Sequence, residues 1–361
     1  MLSFRSNAFR SYSQLALIVV AAGAIYPLLY LRQNFEISIL ESFDITQTQL
    51  RYCSSMLGLI FMISYVPSGW LADRFSSRKL LAYSLLATAL LGIWFSTMPS
   101  YSSLLVIYGA WGIATGLTFW SAHIKLVAIL AKKDQQGKFF GILDGGRGLV
   151  EAILATIAIT LFAYVLSQES GSTSMALRQV IYLYIGVLLV VSPLVYWLLD
   201  DFEEDNTKVT NTNFIADLKT ILKHREIWLC AICIICGYQL FYATYSFSAY
   251  LQQNFGLTAV AVGTITVAKL WMRPIGGITA GFIGDWSSPE KVLSILLILA
   301  SLSLGIMAFL PAASSVIVML LVVLLIGLLT YGVRGIYWAT LAGCNVPNKT
   351  KGLAIGVISM I

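Results

Sequence analysis

The chain has 361 residues, 58% hydrophobic and 11% charged, with a formal net charge of +6. It is too apolar for a water-soluble domain of ordinary composition. The basic excess does not argue for nucleic acid: it is concentrated in the joints between apolar runs, where it reports membrane orientation.

Long apolar runs joined by short polar segments read as membrane-spanning helices, because backbone polar groups in hydrocarbon need internal partners. The predicted spans are 14–32, 50–71, 78–97, 103–130, 139–166, 178–199, 226–251, 258–283, 291–310 and 314–341, and an eleventh begins near 351. Residues 1–13 are polar and basic and lead into a full span, so no cleavable signal is expected. With the N-terminus inside, 15 of the 23 Lys and Arg fall on inner segments, among them Arg10, Lys79, Lys132, Lys133, Lys208 and Lys349. This bias predicts a cytoplasmic N-terminus. The longest polar stretch, 200–225, separates an N-terminal part (1–199) from a C-terminal part (226–361). Within it, Asn213 to Lys223 is expected to form a short amphipathic helix on the membrane surface. Cys230, Cys233 and Cys236 form a CxxCxxC pattern inside an apolar run without a His or acidic neighbour. They read as small packed residues, and neither metal nor cofactor is expected.

The loop between spans 2 and 3 reads Gly69-Trp-Leu-Ala-Asp73-Arg74-Phe-Ser-Ser-Arg78-Lys79, and 212 residues later comes Gly281-Phe-Ile-Gly-Asp285-Trp-Ser-Ser-Pro-Glu290-Lys291. Tyr30-Leu-Arg-Gln-Asn-Phe35 and Tyr250-Leu-Gln-Gln-Asn-Phe255 end spans 1 and 7 at an offset of 220, so the first half carries eight extra residues in its outer loop. Thr46 and Thr258 then align as N-caps. Phe119-Trp120-Ser121 matches Tyr337-Trp338-Ala339, and Gly137/Gly141 matches Gly352/Gly356, a spacing of small residues that lets helices approach closely. These matches define an internal parallel repeat.

On these residues the whole chain resembles the major facilitator superfamily. The resemblance implies an all-α membrane protein of two pseudo-symmetric six-helix bundles, 1–199 and 226–361, joined by a cytoplasmic linker. Measured against the family's twelve helices, span 11 is cut short and span 12 is missing, so a C-terminally truncated chain is expected. The family pattern further implies a central cavity lined by spans 1, 4, 7 and 10, with 2, 5, 8 and 11 at its sides. It makes Asp73 an inner gate near the start of span 11, with Gly69 allowing close contact and Arg74 and Arg78 in the surrounding charge network. Gly281 and Asp285 are the weaker counterpart, because Trp286 replaces a basic residue. Ser76 and Ser77 depart from the Gly and basic residue usual there.

Ionisable residues at membrane depth are costly and usually functional. Lys269 and Arg273 in span 8 are four apart and are expected to share a face. Arg273 lies about 18 Å from Asp285 along the axis. The repeat places apolar Leu57 and Phe61 at the equivalent positions, so the scaffold itself does not demand charge. Arg334 falls near the middle of span 10. Two readings stand for these cations: binding of an anionic solute, or ion pairing with acidic residues on other helices. In span 5, Asp144, Arg147 and Glu151 lie on one face at i, i+3 and i+7. Arg147 and Glu151 can pair along the helix; Glu151 is the proton-coupling candidate, with a structural pair as the alternative. Asp144, nearer the cytoplasm, is assigned to the gate. His123 reads as a packed group, and Lys125 as a snorkelling or cavity residue. Tyr26, Trp120, Tyr242 and Trp338 join the cations as candidate solute-binding residues. Tyr30 and Tyr250 are expected in the interfacial belt, and Pro27 to bend span 1.

The expectation is a monomeric secondary transporter in the cell inner (plasma) membrane, with a small-molecule solute and the bilayer as partners and no nucleic acid. It would work by alternating access around a midplane site. The cations favour an organic acid, a sugar acid, or a phosphorylated or sulfonated metabolite, and Glu151 leaves room for proton symport. A nitrate-type site is disfavoured because Asp-Gly-Gly-Arg-Gly occupies the place of a Gly/Asn-rich signature. A drug or neutral-metabolite exporter is the alternative in transport, although span 5 lacks a Gly-Pro-Gly-Gly motif. A non-transporting sensor or an inactive truncated relative is the alternative outside it. No nucleotide loop, nucleophile triad or metal cluster is present in the sequence, which argues against an enzyme and against ATP as the driving force.

Overall fold

The computed structural model describes residues 2–131, 135–169, 171–200, 214–257, 259–311, 314–344, 346 and 351–360. Among them there is no strand. The helices run α1 (Leu2–Leu29), α2 (Arg32–Phe43), α3 (Gln47–Arg74), α4 (Ser77–Ser96), α5 (Tyr101–Gly112), α6 (Ser121–Leu130), α7 (Gln136–Leu166) and α8 (Thr173–Leu198) in the first half. The second half holds α9 (Phe214–Lys223), α10 (Arg225–Ala243), α11 (Phe247–Phe255), α12 (Ala259–Leu270), α13 (Met272–Trp286), α14 (Pro289–Ala308), α15 (Val316–Ile336) and α16 (Lys351–Met360). Nine helical stretches of the described residues are long and apolar enough to cross a membrane. Large apolar side chains such as Ile63, Trp197 and Leu302 are exposed on their outer faces, as hydrocarbon-facing helices require.

Local chemistry explains where the helices start. Thr46 caps α3 in a reciprocal box with Gln49. Ser76 accepts from the Lys79 amide at the start of α4, and Ser288 accepts from the Lys291 amide at the start of α14, where Pro289 occupies the first turn. The serine that departs from the family pattern at 76 is therefore an N-cap repeated in both halves. Thr258, the expected cap of span 8, lies outside the described residues, as do Lys132, Lys133, Lys208, Lys349 and the linker segment 201–213. The end of that linker does form a short helix, α9.

Among the described residues, five spans are not simple rods: the seventh and tenth carry 3-10 stretches at Thr244–Ser246 and Tyr337–Cys344, and three others are interrupted or widened. The first is interrupted at Tyr30–Leu31, just beyond Pro27, and its extra residues continue as α2. The fourth contains a π-helical stretch, Ile113–Trp120, between α5 and α6. The eighth breaks at Trp271, between α12 and α13. Pro274 has no N–H to offer the Leu270 carbonyl, which is where the helix ladder lapses.

The two halves meet through glycines. A Cβ on Gly69 would strike the Gly352 carbonyl, and one on Gly356 would strike the Tyr65 carbonyl, so α3 and α16 touch backbone to backbone. The repeat-related contact is between α13 and α7: a Cβ on Gly141 would stand 3.0 Å from the Gly277 carbonyl oxygen, and one on Gly281 would meet the Gly137 carbonyl oxygen at 2.6 Å.

Candidate functional site

Both motif aspartates sit at helix N-termini of the opposite half. Asp285 accepts from the amides of Gly137 at 3.0 Å and Lys138 at 2.8 Å, at the start of α7. Asp73 accepts from the Leu353 amide at 3.3 Å, at the start of α16. Unpaired N–H groups and the helix dipole favour a carboxylate at each place. Asp285, in the less complete copy of the motif, makes the shorter backbone bonds. The cation beside Asp73 is Lys125, whose Nζ lies 2.8 Å from Oδ1 and also donates to the Ala72 carbonyl at 2.9 Å. The Arg74 guanidinium stacks on Trp70 at 4.3 Å, and that of Arg78 lies 5.8 Å from the Tyr196 ring. The aspartate contacts join the two halves, whereas those of Arg74 and Arg78 stay within the first.

Deeper, a cluster of five charges joins α7, α13 and α15. Arg273 donates from Nε and Nη2 to Asp144, at 3.2 and 2.7 Å, and from Nη1 to Glu151. Arg147 donates from Nε to the other Glu151 oxygen at 2.9 Å. Arg334 Nε stands 3.6 Å from the Asp144 oxygen already used by Arg273 and makes no hydrogen bond among the described residues. Its guanidinium lies 4.2 Å from the Phe241 ring and 5.2 Å from that of Tyr238. The i, i+3, i+7 spacing does place Asp144, Arg147 and Glu151 on one face. Gly148 keeps that face open, because the Arg273 stem runs through the space a Cβ would take. Asp144 thus joins the deep cluster rather than the contacts of Asp73 and Asp285.

Lys269 is not part of this cluster. Lys269 and Arg273 lie on either side of the break at Trp271, whose own backbone stays helical, and both are buried. Lys269 Nζ instead donates to the Thr244 hydroxyl at 2.9 Å and lies 5.4 Å from the Phe247 ring.

The charges border a cavity with two lobes. The deep lobe, about 40 Å³, is lined by Tyr26, Arg147, Glu151, Arg273, Tyr331 and Arg334, among others. The wider lobe, about 310 Å³, includes Tyr242, Trp338 and Ser359 in its wall. Tyr30, Tyr65, Trp120, Tyr238 and Tyr245 line both. Tyr30 faces the cavity; its ring lies 5.8 Å from that of Tyr245, across the two halves. Tyr250 donates to the Met307 carbonyl at 3.3 Å and is half-buried. Tyr242 is half exposed and accepts from Arg32 at 3.4 Å. His123 is packed between Phe119 and Trp120, with Nδ1 3.1 Å from the Phe119 carbonyl. Tyr65, Tyr184 and Tyr331 were not singled out from the sequence. Tyr331 carried a signal, since it lies one turn before Arg334 on the same face. No group of three or more metal-binding side chains is present among the described residues.

A helical membrane bundle with charge-paired helices around a polar central cavity is the architecture of a multi-pass carrier. Residues 12–361 match the Major Facilitator Superfamily, and the chain belongs to that family. It is 29% identical to the inner membrane protein YqcE of Escherichia coli K12, over 98% of this chain and 84% of that protein. It is 25% identical to the nitrite extrusion protein of Bacillus subtilis 168, over 81% of this chain and 69% of that protein. Among solved structures it resembles the major facilitator transporter FucP in the outward conformation, with a TM-score of 0.73 and 17% identity, covering 97% of this chain and 88% of that one. The protein is a secondary transporter of this fold.

Proposed function

We propose that this transporter carries a small anionic organic solute across the cell inner membrane, with the solute's anionic group held at Arg334. One observation carries the reading. Among the described residues, three guanidiniums of the deep cluster (Arg147, Arg273 and Arg334) face two carboxylates, Asp144 and Glu151. One positive charge is left over, and it resides on Arg334, whose Nε lacks a hydrogen bond. A buried cation in excess is stabilised by an anion brought into the cavity. Tyr26, Trp120, Tyr238 and Trp338 would stack on and hydrogen-bond the rest of the solute. The nitrite extrusion relative supports an anion, and the inner membrane relative supports the location. The contacts at Asp73 and Asp285 would form the cytoplasmic gate of an alternating-access cycle, with the N-terminus cytoplasmic. Proton coupling through Glu151 would require its pairs with Arg147 and Arg273 to open.

The test is thermal stabilisation of the purified chain by a panel of small organic anions and neutral sugars. An anion should raise the unfolding temperature, and Arg334→Gln should remove that rise. Stabilisation by neutral sugars alone, or an anion effect that survives in Arg334→Gln, would overturn the reading. Uptake by Glu151→Gln across pH 6 to 8 tests the proton; an unchanged pH profile would remove Glu151 from the coupling.

A further inference from the structure

The tyrosines of the cavity carry hydrogen-bonding capacity that the fold does not use. Tyr26, Tyr30, Tyr65, Tyr238 and Tyr245 line the deep lobe together with Arg334. The last four also line the wide lobe, where Tyr337 joins them. All six are buried or half-buried. Among the described residues none of their hydroxyls makes a hydrogen bond, and none is sealed off: Tyr108 is the one tyrosine there whose unpartnered hydroxyl is enclosed. The six hydroxyls therefore reach open space, and the space beside them is the cavity. A buried Tyr O–H usually finds a partner. Hydroxyls elsewhere in this bundle do. Tyr250, outside both lobes, donates to the Met307 carbonyl at 3.3 Å. Thr115, Ser192 and Thr330 each donate to a backbone carbonyl, at 2.7, 2.9 and 2.7 Å. Trp120 gives its indole N–H to Ser359 at 2.8 Å, so it offers the cavity its ring and no donor.

We infer that the solute is a monosaccharide ring bearing one anionic group, with its hydroxyls bonded by these phenols and its anionic group at Arg334. A phenol hydroxyl both donates and accepts, as a sugar hydroxyl does, so each completes the other. The apolar C–H face of such a ring packs on aromatic side chains while the polar tips fix its orientation. An aromatic or aliphatic carboxylate would also pair with Arg334. It would cover the tyrosine hydroxyls without bonding them, and buried polar groups left unpaired weaken binding. A neutral sugar would leave the excess charge at Arg334 unmet. The inference rests on the anion reading for its charge; its hydroxyl recognition stands on the tyrosines alone.

The experiment follows thermal unfolding of the purified full chain at matched ionic strength. The probes are glucuronate and glucose 6-phosphate, against benzoate and butyrate as acids without hydroxyls and glucose as a sugar without charge. At least one sugar acid should raise the unfolding temperature saturably, and which one does so tells a carboxylate from a phosphate. Benzoate, butyrate and glucose should have no such effect at the same concentration. Tyr65→Phe, Tyr238→Phe and Tyr245→Phe should each leave the unfolding temperature of the free chain unchanged, since no bond in it is lost. Each should weaken the sugar acid by about two- to tenfold. Tyr250→Phe should do the reverse, lowering the unfolding temperature and leaving the affinity alone. The inference is overturned if neither sugar acid stabilises the chain, if the three phenylalanine chains bind it undiminished, or if they lose stability when free. Benzoate or butyrate acting as well as the sugar acids, with the effect lost in Arg334→Gln, would overturn this inference and leave the anion reading standing. Glucose acting as well as glucuronate, with the effect kept in Arg334→Gln, would overturn the anion reading and with it the charge assigned here.

Discussion

Replacing Gly148 with Ala sets two effects of opposite sign against each other. In a helix interior, Ala is favoured over Gly by about 1 kcal/mol. At this position, however, a new Cβ would stand within 3.0 Å of three carbons of the Arg273 stem, Cβ, Cγ and Cδ. Overpacking of this kind costs about 1–3 kcal/mol. Moving the Arg273 guanidinium also weakens its bonds to Asp144 and Glu151, and breaking a buried pair outright costs about 3–5 kcal/mol. The clash therefore wins, and Gly148→Ala should lose about 2 kcal/mol or more, seen as a fall in unfolding temperature on the order of 5 °C. The assay is thermal unfolding of the purified chain in a cycle with Arg273→Ala, which removes the two nearer carbons, Cγ and Cδ, and the guanidinium and leaves only the Cβ contact. If the stem is the obstacle, the two substitutions should be non-additive by about 1 kcal/mol or more. A Gly148→Ala chain as stable as the parent, or additivity with Arg273→Ala, would refute the reasoning.

Two further outcomes follow from the two aspartate contacts and the first span. Asp73→Asn and Asp285→Asn should each loosen these contacts by about 0.3–1 kcal/mol, raising the labelling rate of a cysteine placed at Ala128 in a cysteine-free chain by roughly two- to fivefold; the double substitution should exceed either, and equal rates in all four chains would count against the latch. Arg10 Nε donates to Asp200 Oδ2 at 2.7 Å, and this hydrogen bond holds the Asp200 carboxyl below the usual carboxylate range. A depressed folded-state value gives stability that is present above the unfolded value, about 3.9, and fades as pH falls through the folded one. The difference in unfolding temperature between the parent and Arg10→Gln should thus be constant above about pH 5 and vanish at lower pH; a difference unaffected by acid would remove Asp200 from the account.

The helical spans were legible because each is a long apolar run, and the family was legible because Asp73 and Asp285 recur with their glycines. The repeat also foretold their equivalent placement at helix N-termini of the opposite half. The charge pattern of α7 was readable from helical spacing alone. The pairing of Asp144 with Arg273 was not, because it depends on how two distant helices cross. The π-helical turn before Trp120 left no trace: nothing in Ile113-Ala-Thr-Gly-Leu-Thr-Phe-Trp120 distinguishes a wide turn from an ordinary one.

The break at Trp271 has a mechanical corollary. Below it, α13 is a single rod that carries Arg273 at one end and Asp285 at the other, twelve residues and about 18 Å apart. A tilt of about 6° about either end shifts the opposite end by about 2 Å, enough to part a hydrogen bond. The rod is thus a lever: a tilt pivoting on the Arg273 pairs would part Asp285 from α7, and one pivoting on Asp285 would part the Arg273 pairs.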